Sequence, residues 1–135
     1  MCSSDLLYVY LTVLRPVLDF AAPTYHSLLT ATQTDELECL QRKAFKIIYN
    51  SNLSYSEALA VSNVETLKDR RQKLTLNFAL RTENNPRYSD GWFPKKPQTN
   101  YITRNIRPYL EVLPRTERMK RNPITYMRRI LNDQN

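Results

Sequence analysis

Glycine is almost missing from this chain of 135 residues: Gly91 is the only one. Phosphate-cradling loops and two-residue hairpins both draw on glycine's freedom at positive φ, so its scarcity argues against glycine-rich nucleotide loops and hairpin-rich sheets. Cysteine is nearly as scarce. Cys2 and Cys39 make neither a disulfide framework nor a metal set, which fits a reducing compartment. The chain has one histidine, His26, and no C-x-x-C spacing, so a zinc knuckle has no ligands. Asp-Asp, one form of the paired aspartates that hold two metal ions for phosphoryl transfer, occurs nowhere. No cofactor and no metal is expected, and no enzyme activity. The apolar run over residues 6–14 is too short to span a bilayer, and no basic residue precedes it as in a signal peptide. The expectation is an intracellular protein, nuclear or cytoplasmic, that is neither secreted nor membrane-spanning.

What the chain has is positive charge, unevenly spread. Twenty Lys and Arg against thirteen Asp and Glu give +7 and a pI near 9.6. Residues 1–34 carry one base and two acids, residues 35–81 eight and six, and residues 82–135 eleven and five. A basic excess of this size favours polyanionic partners, although charge alone separates neither nucleic acid from membrane surface nor binding from solubility.

Periodicity predicts a mainly α protein. Apolar residues recur at three- and four-residue steps over 4–22, with a kink or break expected near 12–16 because Pro16 lacks an N–H and crowds the carbonyl of Thr12. Apolar residues lie nearly all round this helix, so it seeks burial on more than one side and is a candidate for self-association. A second helix is predicted over 32–49, opened by Thr32 with Asp35 and buried through Leu37, Leu40, Ala44, Ile47 and Ile48; Glu38 and Arg42 have the spacing of an ion pair. A short helix follows over 54–61. Ser62 with Glu65 then predicts a helix over 62–81, with a stripe of Val64, Leu67, Leu74 and Phe78 and with Arg71 at the same angular position. Residues 84–114 hold five prolines and no helical period; residues 101–103 and 109–113 have the pattern of two short paired strands. Asn122 before Pro123 predicts a last helix to about Leu131. The expected architecture is a small helical domain with an irregular proline-bearing segment and a short C-terminal helix, dividing at 1–81 and 82–135.

No catalytic constellation assembles. His26 has no carboxylate placed to orient it, and Cys39 sits inside a helix beside the apolar stripe as a small core residue. The candidate functional residues are basic: Arg42, Lys43 and Lys46 on one helical surface; Lys68, Arg70 and Lys73 on another; and Arg115, Arg118, Lys120 and Arg121 in the densest stretch. Arginine grips phosphate oxygens with a planar fork and lysine acts as a point charge. Tyr88, Trp92, Phe93, Tyr101 and Tyr109 interleave with Lys95, Lys96, Arg104 and Arg107, a mixture suited to stacking on unpaired bases, or to anchoring the irregular segment on the helices.

A series of short motifs runs in fixed order: Arg15-Pro16-Val17-Leu18-Asp19-Phe20-Ala21-Ala22-Pro23, Tyr25-His26-Ser27, Leu40-Gln41-Arg42-Lys43-Ala44-Phe45-Lys46-Ile47-Ile48, Leu53-Ser54-Tyr55, Leu67-Lys68-Asp69-Arg70-Arg71, Arg115-Thr116-Glu117-Arg118 and Asn122-Pro123-Ile124-Thr125-Tyr126. Together, over roughly residues 6 to 132, they resemble the C-terminal thumb and post-thumb region of the reverse transcriptase of non-LTR (LINE-type) retrotransposons. The family often carries Trp at the place of Tyr25, Pro at the place of Glu65, and Ser-Pro where Asn122-Pro123 stands. The resemblance implies a non-catalytic, nucleic-acid-binding fragment that helps hold RNA template and primer and that packs against a preceding polymerase region. The alternative from the residues alone is a small helical protein-interaction module or an inert translated remnant.

Overall fold

The structure is a computed structural model that describes residues 2–50, 52–97, 107–111 and 113–134. It is mainly helical, and the described residues contain no strand beyond one isolated bridge. The chain folds as two compact units, one of Met1–Ala22 with Leu29–Gln72 and one of Pro23–Leu28 with Lys73–Asn135. The division suggested by the sequence, at residue 81, marked the start of the proline-bearing segment. The packing division comes earlier because Leu76 and Ala79, still inside a helix, already belong to the second core.

The first unit opens with a helix over Ser3–Asp19 whose middle turn, Tyr10–Leu14, is π-helical. Here lies the disturbance predicted for Pro16. The N–H of Arg15 reaches back five residues to the carbonyl of Tyr10, and the widened turn accommodates a proline that cannot continue the ordinary ladder. The hydroxyl of Thr12 donates to the Tyr8 carbonyl at 2.8 Å. The inserted residue rotates the inner face. Leu6, Leu7, Tyr10 and Leu11 face inward up to the start of the turn; beyond it the inner positions are Arg15, Leu18 and Asp19, while Leu14 and Val17 are exposed.

The helix over Ala31–Ile48 starts one residue earlier than the expected 32–49, and its cap two residues earlier. Its capping box is Thr30 with Gln33 rather than Thr32 with Asp35: the Thr30 hydroxyl accepts from the Gln33 N–H at 3.3 Å, and Gln33 Oε1 accepts from the Thr30 N–H at 3.0 Å. Its buried face also differs from the apolar stripe. Glu38, Gln41, Phe45 and Ile48 are buried, whereas Leu40 and Ile47 are exposed. The polar pair goes inward because it finds partners there. Gln41 Oε1 accepts from the Tyr10 hydroxyl at 2.6 Å, and its Nε2 donates to the Tyr55 hydroxyl at 3.0 Å and the Glu65 carbonyl at 3.1 Å. The Tyr55 hydroxyl in turn donates to Glu38. Arg42, expected to pair with Glu38, instead lies over the Tyr55 ring, 5.4 Å from its centre. Around this network pack Tyr10, Phe45, Ile48, Ala58 and Val64.

The short helix expected over 54–61 runs over Tyr55–Ser62, and Ser54 and Glu57 form a reciprocal capping box before it. With glycine so scarce, asparagine ends the helices: Asn50 and Asn63 take the left-handed conformation, at φ 50° and 52°. Ser62 does not start the next helix. It belongs to the previous one, its hydroxyl donating to the Ala58 carbonyl at 2.6 Å. The long helix runs over Leu67–Glu83 and is capped by Thr66, whose hydroxyl accepts from the Asp69 N–H at 3.2 Å. Its inner line is Leu67, Arg71, Thr75 and Ala79, every fourth residue, and Phe78 is turned outward. Arg71 is 1 % exposed, a structural residue of the first unit.

The second unit contains an unpredicted helix over Pro86–Trp92, with Asn85 as its cap (its side chain accepts from the Arg87 N–H at 3.0 Å) and Pro86 at the first turn. Behind it, Lys95 and Tyr109 form an antiparallel bridge, with Lys96 N–H to the Pro108 carbonyl and Leu110 N–H to the Pro94 carbonyl, each at 2.9 Å. Tyr109 thus pairs with Lys95; the expected partner, residues 101–103, lies outside the described residues. The last helix starts at Pro123 behind Asn122, as predicted, and continues to Asp133. Phe93, Tyr109, Met127, Leu131 and Ala79 form the core of this unit, and Asn132 holds the bridge strand by accepting from the Tyr109 N–H at 3.1 Å.

Replacing Tyr10 by Phe leaves the Gln41 oxygen buried without its donor. The expected loss is about 1–3 kcal/mol of unfolding free energy, read from urea unfolding at neutral pH. Burial raises the Tyr10 hydroxyl from its usual pKa of 10.0 to about 12, and burial together with the Glu38 hydrogen bond pushes Tyr55 up as well. The folded state therefore holds these protons more tightly than the unfolded chain. Their contribution is complete below about pH 10 and is lost as pH rises towards 12. The same unfolding series from pH 8 to 12 shows this decline in the parent protein and a shallower one in Tyr10→Phe.

Candidate nucleic-acid interface

The division into units sorts the charge. The first unit has seven Lys and Arg against eight Asp and Glu, net −1; the second has thirteen against five, net +8. The whole excess of the chain belongs to the second unit.

Within the second unit the densest basic stretch, over residues 115–121, is built on two caps. Thr116 opens a single helical turn, Glu117–Lys120, by accepting from the Met119 N–H at 3.2 Å, and Asn122 opens the last helix by accepting from the Ile124 N–H at 3.0 Å. The Ser27 hydroxyl donates to the Arg121 carbonyl at 2.8 Å and ties the stretch to the 23–28 segment of the same unit. Arg115, Arg118, Lys120 and Arg121 are all exposed. Lys120 is occupied by Glu117 at 2.5 Å, and this contact holds the Glu117 carboxyl below its usual pKa. The guanidinium groups of Arg115, Arg118 and Arg121 make no ion pair among the described residues. Three forks on one short turn and its flanks, with one neighbouring acid, suit the oxygens of a phosphate backbone. Lys73 is exposed on the same unit's helix.

In the first unit Arg42, Lys43 and Lys46 lie on the solvent side of the Ala31–Ile48 helix, and Lys68 is exposed. Arg70 is employed internally. Its Nε is 3.3 Å from Asp19 and its Nη1 3.7 Å from Glu65; Arg15 approaches the same two carboxylates at 4.0 and 3.8 Å. Two bases and two acids alternate, so Arg70 brings little uncompensated charge to a phosphate.

The aromatic residues divide in the same manner. Phe93 and Tyr109 are buried against each other, their ring centres 5.8 Å apart, and anchor the irregular segment. Tyr88 and Trp92 keep exposed surface. With Phe78, Arg81, Thr82 and Asn85 they line a groove of about 540 Å³, which the sequence does not announce because periodicity places Phe78 in the core and the proline-bearing segment hides the Pro86–Trp92 helix. Tyr101 and Arg104 lie outside the described residues. His26 is structural: its Nε2 is 3.3 Å from the Tyr126 hydroxyl, with the rings edge-to-face. No group of three metal-ligating side chains occurs among the described residues. Among the described residues no single helix is long and apolar enough to cross a membrane.

No protein-family model matches the chain, and no curated protein or solved structure matches it.

The stretch at 115–121 is expected to contribute more to polyanion binding than the face at 42–46. Arg115/Arg118/Arg121→Ala should weaken binding of a single-stranded oligonucleotide about tenfold or more at 50 mM salt, whereas Arg42/Lys43/Lys46→Ala, with equal charge loss, should weaken it less. Fluorescence anisotropy on both variants, after circular dichroism has established folding, makes the comparison; the reverse order would move the interface to the Ala31–Ile48 helix.

Proposed function

We propose that this chain is a non-catalytic nucleic-acid-binding segment of the kind that follows the polymerase active site in non-LTR retrotransposon reverse transcriptases, acting inside the cell and holding RNA template or DNA primer through phosphate contacts. The observation that carries the reading is the segregation of charge: a net +8 on the second unit, with Arg115, Arg118 and Arg121 exposed and unpaired among the described residues. The ordered motifs support the family origin. The natural companion is the polymerase region that would precede such a segment, and no cofactor is needed for a binding role.

A second reading is a protein-interaction module. The exposed apolar residues of the first helix favour it, since Tyr8, Val13 and Val17, with Phe20 just after, expose more than half of their surface. The two readings differ in salt dependence. Each phosphate neutralised contributes about −0.7 to the slope of log K against log salt on single strands, so four to six engaged side chains give roughly −3 to −4. Anisotropy titrations between 50 and 300 mM salt measure the slope; micromolar binding indifferent to salt contradicts the phosphate mechanism. Primer extension on an RNA template with deoxynucleotides and magnesium should yield no product from the purified chain, and template-dependent extension would sink the non-catalytic assignment.

A further inference from the structure

We propose that the groove lined by Phe78, Arg81, Asn85, Tyr88 and Trp92 receives an unpaired base of a single-stranded nucleic acid; this rests on the phosphate-binding reading above and adds a base-contacting site to it.

The groove lies wholly within the second unit, at the place where the Leu67–Glu83 helix ends and the Pro86–Trp92 helix begins. Its walls are set by backbone bonds of the turn: Asn85 N–H to the Thr82 carbonyl at 3.1 Å and Tyr88 N–H to the Asn85 carbonyl at 3.1 Å. The Thr82 hydroxyl donates to the Phe78 carbonyl at 2.8 Å. At its far end Trp92 packs on the core of the unit, and its carbonyl accepts from Arg128. The aromatic surfaces are therefore fixed before any ligand arrives, which lowers the ordering cost of binding.

Three features select a base. Tyr88 and Trp92 lie with ring centres 5.3 Å apart and planes inclined by 40°, and Phe78 and Tyr88 are each 39 % exposed, so flat π surface is available at the groove. Bases of every kind offer a π face to such surfaces. The charged groups at the groove are cationic: Arg81 lines it, and Arg87 stands 5.8 Å from the centre of the Tyr88 ring. No Asp or Glu among the described residues lines it. Arg81 makes no ion pair among the described residues, which leaves its fork for the phosphate attached to a stacked nucleoside. Asn85 uses its side-chain oxygen on the Arg87 N–H, leaving the amide NH2 as a donor to a base edge. An aliphatic peptide would use the apolar walls and leave this polar rim idle. A volume of about 540 Å³ falls inside the roughly 300–1,000 Å³ of small-molecule sites.

Trp92 is the only tryptophan in the chain, so its fluorescence reports on the groove directly. The full chain is titrated at one salt concentration with a twelve-nucleotide oligothymidylate and with an abasic strand of the same length and phosphate count. Stacking on the groove predicts about tenfold tighter binding of the base-bearing strand and quenching of Trp92 by that strand alone. Tyr88→Leu, checked for folding by circular dichroism, should remove most of this preference and leave affinity for the abasic strand unchanged. Arg81→Gln should weaken both strands. Equal affinity for the two strands without quenching overturns the base site and leaves the phosphate reading standing; it is also the outcome if the groove takes a peptide. Failure to bind either strand at low salt overturns both. Should Tyr88→Leu not fold, the comparison of strands on the unaltered chain decides the matter.

Discussion

One side-chain amide organises the first unit. Gln41 has no exposed surface, and its three hydrogen bonds reach the first helix through Tyr10, the Tyr55–Ser62 helix through Tyr55, and the segment before the long helix through the Glu65 carbonyl. A buried amide that loses its partners costs more than any one of its bonds contributes. A slide of one helix against another would orphan it, so the packing of four segments is specified by a polar group rather than by apolar volume alone. The aromatic ring of Phe45, close to Tyr10, Tyr49 and Tyr55, fills the space beside it.

The two units handle charge in opposite ways. The first pairs Arg15 and Arg70 with Asp19 and Glu65 and buries Arg71, leaving Arg42, Lys43, Lys46 and Lys68 exposed among eight acids. The second leaves arginines on short capped turns where solvent reaches them. Structural ion pairs and accessible cations have the same composition in a sequence, and the distinction between them is what turns a basic protein into one with a basic surface. It also separates the candidates that sequence reading grouped together: Arg70 is committed internally, while Arg115, Arg118 and Arg121 are available.

Capping chemistry was legible only in part from the sequence, and packing direction was not. Asn122 with Pro123 marks a helix start legibly because that signal is local and complete within two residues. The same Asn-Pro signal at Asn85 and Pro86 is masked, since it stands two residues after Glu83 at the head of a proline-bearing segment with no helical period. Thr30 and Thr66 take the place of Thr32 and Ser62 because a capping residue itself leaves the helical conformation, as Thr30 does at φ −76° and ψ 164°, whereas Thr32 and Ser62 lie inside helices. The inward faces failed for a deeper reason. Hydropathy places Leu40 and Ile47 inside and Glu38 and Gln41 outside, yet the partners that reverse this order, Tyr10 and Tyr55, lie in other segments and carry no local mark. Of the site, the basic stretch at 115–121 was visible as composition, whereas the groove required two helices to meet at an unrecognised turn.

The π-helical turn at Tyr10–Leu14 has a meaning for how such chains diverge. A residue accommodated in a widened turn is equivalent to a one-residue insertion absorbed without a loop. It brings Arg15, in place of Leu14, onto the inner face beside Asp19. A relative lacking the proline at position 16 and keeping an unbroken α-helix would need to delete one residue nearby to align the same arginine and aspartate with their partners. Gaps placed inside this helix, ordinarily treated as alignment errors, would then trace the gain or loss of a single backbone donor.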